Sequence, residues 1–308
     1  MEMKTFTAGA DDDDRRIDRV IRRLLPNIPL SAVYSAMRRK RILLNGRKTS
    51  PSTRVREGDL LSVAPALLDG LERRNHPRVP LSSLPEILFE SNTVIAVQKP
   101  RDISVHGKHS IENMLHAYLL PKITTSLSFK PGPLHRLDRD TTGLLFFSKN
   151  LAGARRFSEL LRKGKTGKFY IALVIGRISS GMTLRSPVGD KRALSILYPL
   201  ISKEEYSLVL VRIVTGRKHQ IRTQAADAGY PLFGDEAYGG GRTPDGYLLH
   251  AYALVLQQFD TLLEFKECRA PLPPESMSRI ERIFGKNSVE QALKLAEEHI
   301  RPGFSATG

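Results

Sequence analysis

Cysteine occurs once in this chain, at Cys268, so no intrachain disulfide can brace it and any fold must rest on buried cores. Long apolar runs are missing too: none approaches the roughly 18 residues that a membrane-spanning helix needs. The only close histidine pair, His106 and His109, has no cysteine and no matching His–Glu spacing beside it, so no metal is expected. No glycine-rich phosphate-binding fingerprint follows a strand, and no fixed-period repeat occurs. The start is polar and runs into four aspartates, Asp11 to Asp14, unlike a secretory signal or a transit peptide. These absences predict a reduced, cytoplasmic protein with no cofactor and no membrane partner, whose chemistry runs on its own side chains. Acidic residues are in deficit, with 32 Asp and Glu against 48 Lys and Arg, and the net charge of +16 predicts a polyanionic partner. A length of 308 residues allows about two domains with sizeable cores.

The charge is concentrated near the N-terminus. Between Asp14 and Leu60 stand thirteen basic and four acidic residues, a surplus of nine. Ile17, Val20, Ile21, Leu24 and Leu25 recur at helical spacing, which predicts an amphipathic helix with arginines on its open face. Pro26 and Pro29 end it, and Ser31 is placed to cap a second helix carrying Val33, Ala36 and Met37. The cluster Arg38-Arg39-Lys40-Arg41 follows, then a short strand, Ile42 to Leu44, closed by the hairpin pair Asn45-Gly46. Two helices, a basic corner and a hairpin returning near Asp59 to Val63 resemble the S4-like RNA-binding domain. That resemblance implies phosphate contacts at Arg38, Arg39, Lys40, Arg41, Arg47 and Lys48, giving affinity and salt dependence but little sequence readout.

The most informative stretch is His135 to Asn150, where a charged turn abuts the apolar run Leu144-Leu145-Phe146-Phe147. That run predicts a strand buried on both faces, fed by the tight turn Thr141-Thr142-Gly143, with Asp138 at the mouth of a core. A carboxylate so placed fits two roles: a turn cap, or a partly desolvated reactive group. The segment resembles the His-Arg-Leu-Asp-x-x-Thr-Ser-Gly-Leu-Leu motif of the RluA-type pseudouridine synthases, with Thr142 where the family usually has Ser. Other segments resemble the family in the same order. They are Val94 to Val97 running into Lys99-Pro100, Lys168 to Gly176, Gly216 to Arg222, Gly229 to Asp235 with Tyr238-Gly239, and Leu248 to Ala251. Arg101-Asp102-Ile103 and Thr223-Gln224-Ala225 depart from the pattern, the latter at a place where a change of helix packing is expected.

The resemblance implies a mixed α+β fold, a largely antiparallel central sheet with flanking helices, behind a small α/β S4-like domain. It implies conversion of uridine to pseudouridine in RNA, with Asp138, Tyr170 and Arg222 as catalytic residues and Arg136, His135, Gln220 and Leu249 as substrate contacts. Without the motif, Tyr170 reads as a core tyrosine. The S4-like arrangement favours large-subunit ribosomal RNA over tRNA as the partner of a monomeric enzyme. A non-catalytic rRNA-binding assembly factor is the rival from another class, and an RNA N-glycosidase lacks its second carboxylate unless Asp140 serves. The expected boundaries are a polar tail (1–13), the S4-like domain (14–63), a linker (64–85), the catalytic domain (86–285) and a C-terminal helix and tail (286–308). Within the last, Ser288 and Gln291 predict a capping box, and the chain after Pro274 is expected to add little.

Overall fold

The computed structural model describes residues 2–68, 84–120 and 126–300; most of the expected linker, residues 69–83, lies outside the described residues. The chain divides into two units, one of Met1–Leu84, Asn113–Gly132 and Ser148–Ala154, the other of Pro85–Glu112, Pro133–Phe147 and Arg155–Gly308.

The first unit opens with β1 (Lys4–Thr7), followed by α1 (Ile17–Leu24), α2 (Leu30–Arg38), β2 (Ile42–Leu44) and β3 (Leu60–Val63). The strands form a sheet in the order β1-β3-β2. The apolar stripe of α1 closes on Val33, Met37, Ile42, Leu61 and Val63, which is the burial that holds so short a helix in place. The expected tail is structured instead. Lys4–Thr7 pairs with β3, and Asp12 is fully buried, accepting the N–H groups of Leu127 (2.7 Å) and Ser128 (3.0 Å) and the hydroxyls of Ser126 and Ser128. Asp11 accepts the Leu151 N–H at 2.9 Å. A buried carboxylate is tolerable only with such donors around it. Ser31 does not cap α2: the helix starts at Leu30 behind Pro29, where a missing N–H costs nothing. At the other end Lys40 adopts φ 57°, and the Arg41 and Lys40 amides bond back to the Ala36 and Met37 carbonyls at 2.9 and 3.2 Å. Asn45 and Gly46, at φ 49° and 72°, make the expected tight turn, closed by two backbone hydrogen bonds between Leu44 and Arg47, while β2 along its length pairs with β3.

The remaining elements are β4 (Ile87–Glu90), β5 (Val94–Lys99), α3 (Ile111–Leu119), β6 (Gly132–Pro133), β7 (Thr142–Ser148), α4 (Leu151–Arg162), β8 (Thr166–Ile175) and β9 (Met182–Leu184), then β10 (Ser195–Lys203), β11 (Tyr206–Ile213), α5 (Gln220–Asp227), β12 (Leu249–Asp260), β13 (Phe265–Arg269), α6 (Pro274–Phe284) and α7 (Ser288–Ile300). A ten-stranded sheet runs β4-β5-β7-β12-β8-β11-β10-β9, with β13 on β12 and β6 on β7. It is mostly antiparallel; β7 and β12 run parallel. The fold is therefore the mixed α+β one expected. The chain after Pro274 contributes more than expected: Ile280, Val289, Ala292, Ala296 and Ile300 of α6 and α7 complete the core on β8, β11 and β12. The capping box does not form. The Gln291 amide bonds to the Asn287 carbonyl, so Ser288 lies inside the helix, its Oγ buried and without a hydrogen-bond partner among the described residues. No described helix is long and apolar enough to cross a membrane.

Candidate active site

Every residue of β7 is buried, which fixes the strand in mid-sheet and holds the polar residues before it at one place. Asp138 begins a β-turn closed by the Thr141 N–H on its carbonyl at 3.2 Å. Lys99, fully buried at the end of β5, reaches under this turn and donates to the carbonyls of Arg139 (2.7 Å), Thr141 (2.8 Å) and Pro100 (2.8 Å). Burial lowers its pKa to about 8. Gly143, at φ 106°, lets β7 approach β12: a Cβ there would lie 2.3 Å from the Ala251 carbonyl oxygen. Beside it the Thr142 hydroxyl lies 2.8 Å from His250 Nδ1, while His250 Nε2 lies 3.1 Å from the Ala270 carbonyl. The carbonyl can only accept, so Nε2 carries the proton and the threonine hydroxyl donates to Nδ1. A serine would do the same.

The partners of Asp138 come from the N-terminal end of α5. Arg222 Nη1 stands 3.6 Å from Asp138 Oδ2, while its Nε and Nη2 grip Asp235 at 2.6 and 2.8 Å. The guanidinium lies 4.7 Å from the centre of the Tyr238 ring and 4.6 Å from that of Tyr247. Burial opposes its charge, but the Asp235 hydrogen bonds, followed by the Tyr247, Asp235 and Asp138 charges, outweigh it and raise the pKa. His219, left-handed at φ 55°, places Nε2 3.5 Å from Asp138 Oδ1 and Nδ1 2.8 Å from the Tyr238 hydroxyl. Burial pulls its pKa down more than the Asp138 charge raises it.

Asp138, Tyr170, Arg222, Arg136, Gln220 and Leu249 line one cavity, together with Thr141, Arg217 and His219. Its volume is about 50 Å³, room for one or two waters. Gln220 borders it with its amide already engaged, accepting from Thr215 Oγ1 and the Arg217 N–H and donating to the Leu194 carbonyl and Ser195 Oγ. It holds the loop in place instead of offering a free donor. His135 is not among the cavity's lining residues. Its Nε2 accepts the Phe146 N–H at 3.1 Å and its ring stacks on Phe157, so it braces β7. Burial, reinforced by the Lys168 charge, lowers its pKa to about 3. Tyr170 is buried, and burial together with the Asp138 charge raises its pKa above the ordinary range for tyrosine.

Sequence reasoning passed over Asp235, Tyr247, His219 and the grip of Lys99, although Asp235, His219 and Lys99 lie in segments already singled out. The departure at Arg101 supports Tyr247: its guanidinium donates to the Tyr247 carbonyl at 2.5 Å. At the other departure, Gln224 packs inside the fold. That buried side chain bonds to Ser195 Oγ (2.7 Å) and to the Ser186 carbonyl (2.7 Å), tying α5 to the segment before β10. On the first unit Arg38, Arg39, Lys40, Arg41, Arg47 and Lys48 are all exposed. A second basic surface, not foreseen as a contact, is an open groove of about 770 Å³ bordered by Arg15, Arg19, Arg22 and Arg23.

Residues 93–227 match the RNA pseudouridylate synthase family, and residues 15–61 match the S4 domain. Ribosomal large subunit pseudouridine synthase D of Vibrio cholerae is 31% identical over 250 residues, 75% of this chain and 76% of that protein. The protein of the same name from Escherichia coli K12 is 27% identical over 313 residues, 90% of this chain and 93% of that one. The solved structure of human RNA pseudouridylate synthase domain containing 4 shares the fold, with a TM-score of 0.55 at 20% identity over 64% of this chain and 92% of that chain. Two family matches in the order of the motifs, and relatives aligned along most of both chains, make this protein a member of the RluA-type RNA pseudouridylate synthases, isomerases of uridine in RNA.

Proposed function

We propose that this enzyme isomerises uridine in large-subunit ribosomal RNA, with Asp138 as the reactive carboxylate. The observation that carries the reading is the Asp138 carboxylate in the cavity wall, faced by Arg222 at 3.6 Å and held on a turn that Lys99 staples. The target comes from the names of the relatives, which act on the large ribosomal subunit, and from the S4 domain ahead of the catalytic body.

The reaction breaks the bond from N1 of uracil to the anomeric carbon and joins C5 of the same ring to that carbon. The proton on C5 leaves and N1 gains one, so the change is an isomerisation with no redox step. Asp138 serves either by adding to the anomeric carbon or by removing a sugar proton to give a glycal; both need the ionised carboxylate, which Arg222 and His219 orient. Asp235 and the two tyrosine rings fix that guanidinium in turn. Tyr170, its phenol kept protonated by burial and by Asp138, is the surface on which uracil stacks, a contact worth about 1–3 kcal/mol. Leu249 forms the apolar wall. Arg136 is exposed and engages no other described residue, so it is available to fill the space that a flipped-out uridine leaves. The basic surfaces of residues 14–63 add affinity for phosphates without choosing the base. The enzyme works in the cytoplasm as a monomer, without metal or cofactor.

Asp138→Asn tests the core of this reading. The variant should bind RNA as the parent does yet release no tritium from RNA labelled at uridine C5. Release at the parent's rate would remove Asp138 from its role. Carbodiimide mapping of pseudouridines in ribosomal RNA and tRNA, with and without the gene, identifies the target.

A further inference from the structure

A second cleft adjoins the catalytic cavity. It encloses about 750 Å³ between β8, α4 and the turn after β11, and shares Arg136, Tyr170, Ile213 and Arg217 with that cavity. Its charged lining residues are Arg136, Arg162, Lys168 and Arg217; no carboxylate lines it. His135 adds no charge there, since its pKa stands at about 3.

Lys168 is the unusual member. It lies near the start of β8, in register with Ile213 of β11, and its Nζ would be 3.3 Å from a Cβ built on Gly216. Burial without any opposing carboxylate pulls its pKa down to about 8. No hydrogen bond or ion pair engages it among the described residues. Lys168 is half-buried, and a partly desolvated cation with no counter-charge is costly in the free protein. An anion arriving in the cleft would offset that cost.

We propose that the Lys168 cleft is a phosphate site, holding a phosphodiester of the RNA strand beside the uridine that occupies the catalytic cavity. The inference rests on the reading of that cavity as the uridine pocket. A phosphodiester fits because the cleft's charged groups are all donors, and because a strand with its base in one compartment carries a phosphate into the next. Four cations with no carboxylate among them match the negative charge of a phosphodiester, and such contacts hold the backbone irrespective of sequence. Arg217, at the shared edge, would then bridge nucleoside and phosphate.

The test uses the full chain carrying Asp138→Asn, to separate binding from turnover, and a short single-stranded RNA with one uridine. Affinity is measured by fluorescence anisotropy against salt concentration. Adding Lys168→Met should weaken binding about tenfold and lower the slope of log affinity against log salt by about 0.7, one phosphate contact. Lys168→Arg should keep the slope. Replacing the linkages beside the uridine with neutral methylphosphonates, one at a time, should reproduce the loss when Lys168 is present and add nothing to Lys168→Met. An unchanged salt slope in Lys168→Met, or equal losses on every methylphosphonate with and without Lys168, overturns the proposal. If the parent enzyme releases no tritium from any RNA while this cycle holds, the uridine reading fails and the phosphate site stands.

Discussion

Lys99 uses all three of its N–H bonds on the carbonyls of Pro100, Arg139 and Thr141, so the position of Asp138 depends on an ammonium group that never touches substrate. Lys99→Met should leave those carbonyls without a donor, cost on the order of 2–4 kcal/mol of stability and lower kcat more than it raises KM. The charge sign gives a second readout. Above about 8 the Lys99 ammonium becomes an amine with two donors, so kcat at saturating RNA should fall as pH rises through that value. The limb should vanish in Lys99→Met, and wild-type turnover by that variant at neutral pH would refute the stapling role. Asp138 and Arg222 were legible because each sits inside a continuous motif. Asp235, Tyr247 and the Lys99 grip were not, since their partners are distant in the chain and spacing carries no information about who meets whom.

At the level of elements, the basic corner after α2 sets stability against binding. Lys40 is left-handed at φ 57°, a conformation that strains a residue with a Cβ and suits glycine. Lys40→Gly should stabilise the first unit by about 0.5–1 kcal/mol, seen as slower hydrogen exchange at the Arg41 amide. It should also weaken RNA binding and flatten its salt dependence, because an exposed cation is lost. Faster exchange at Arg41 would show that the lysine stem contributes packing that outweighs the strain. Helix α1 and strands β7 and β8 were legible from their apolar patterns. The caps were not: Ser31 and Ser288 are chemically suited to capping, but Pro29 and Asn287 stand at the entrances, and serine is common enough near helices to mislead.

For the whole molecule, two neutral histidines set an acid limit. Burial lowers His250 to about 4, partly countered by its hydrogen bond to the Ala270 carbonyl, while the unfolded chain protonates near 6.5. Its contribution is therefore fully present above about 6.5 and is lost as pH falls towards 4, amounting to about 3 kcal/mol. His135 acts in the same direction. Urea midpoints measured from pH 7 to 4.5 should fall, with a shallower fall in His250→Gln; parallel curves for the two proteins would contradict this. Two cores and an RNA-directed charge could be read from composition and motif, but not the chain path that builds the first unit from three separated segments. That path governs synthesis. Asp12 cannot meet its donor Ser128, nor Asp11 its donor Leu151, 140 residues on, until those residues have been made. At the roughly 5–20 residues per second of translation, the N-terminal unit therefore waits on the order of ten seconds or more, basic and incomplete, before its last hydrogen bonds close. The first unit thus closes only once Leu151 has been made, yet still ahead of the second, whose core waits for α6 and α7.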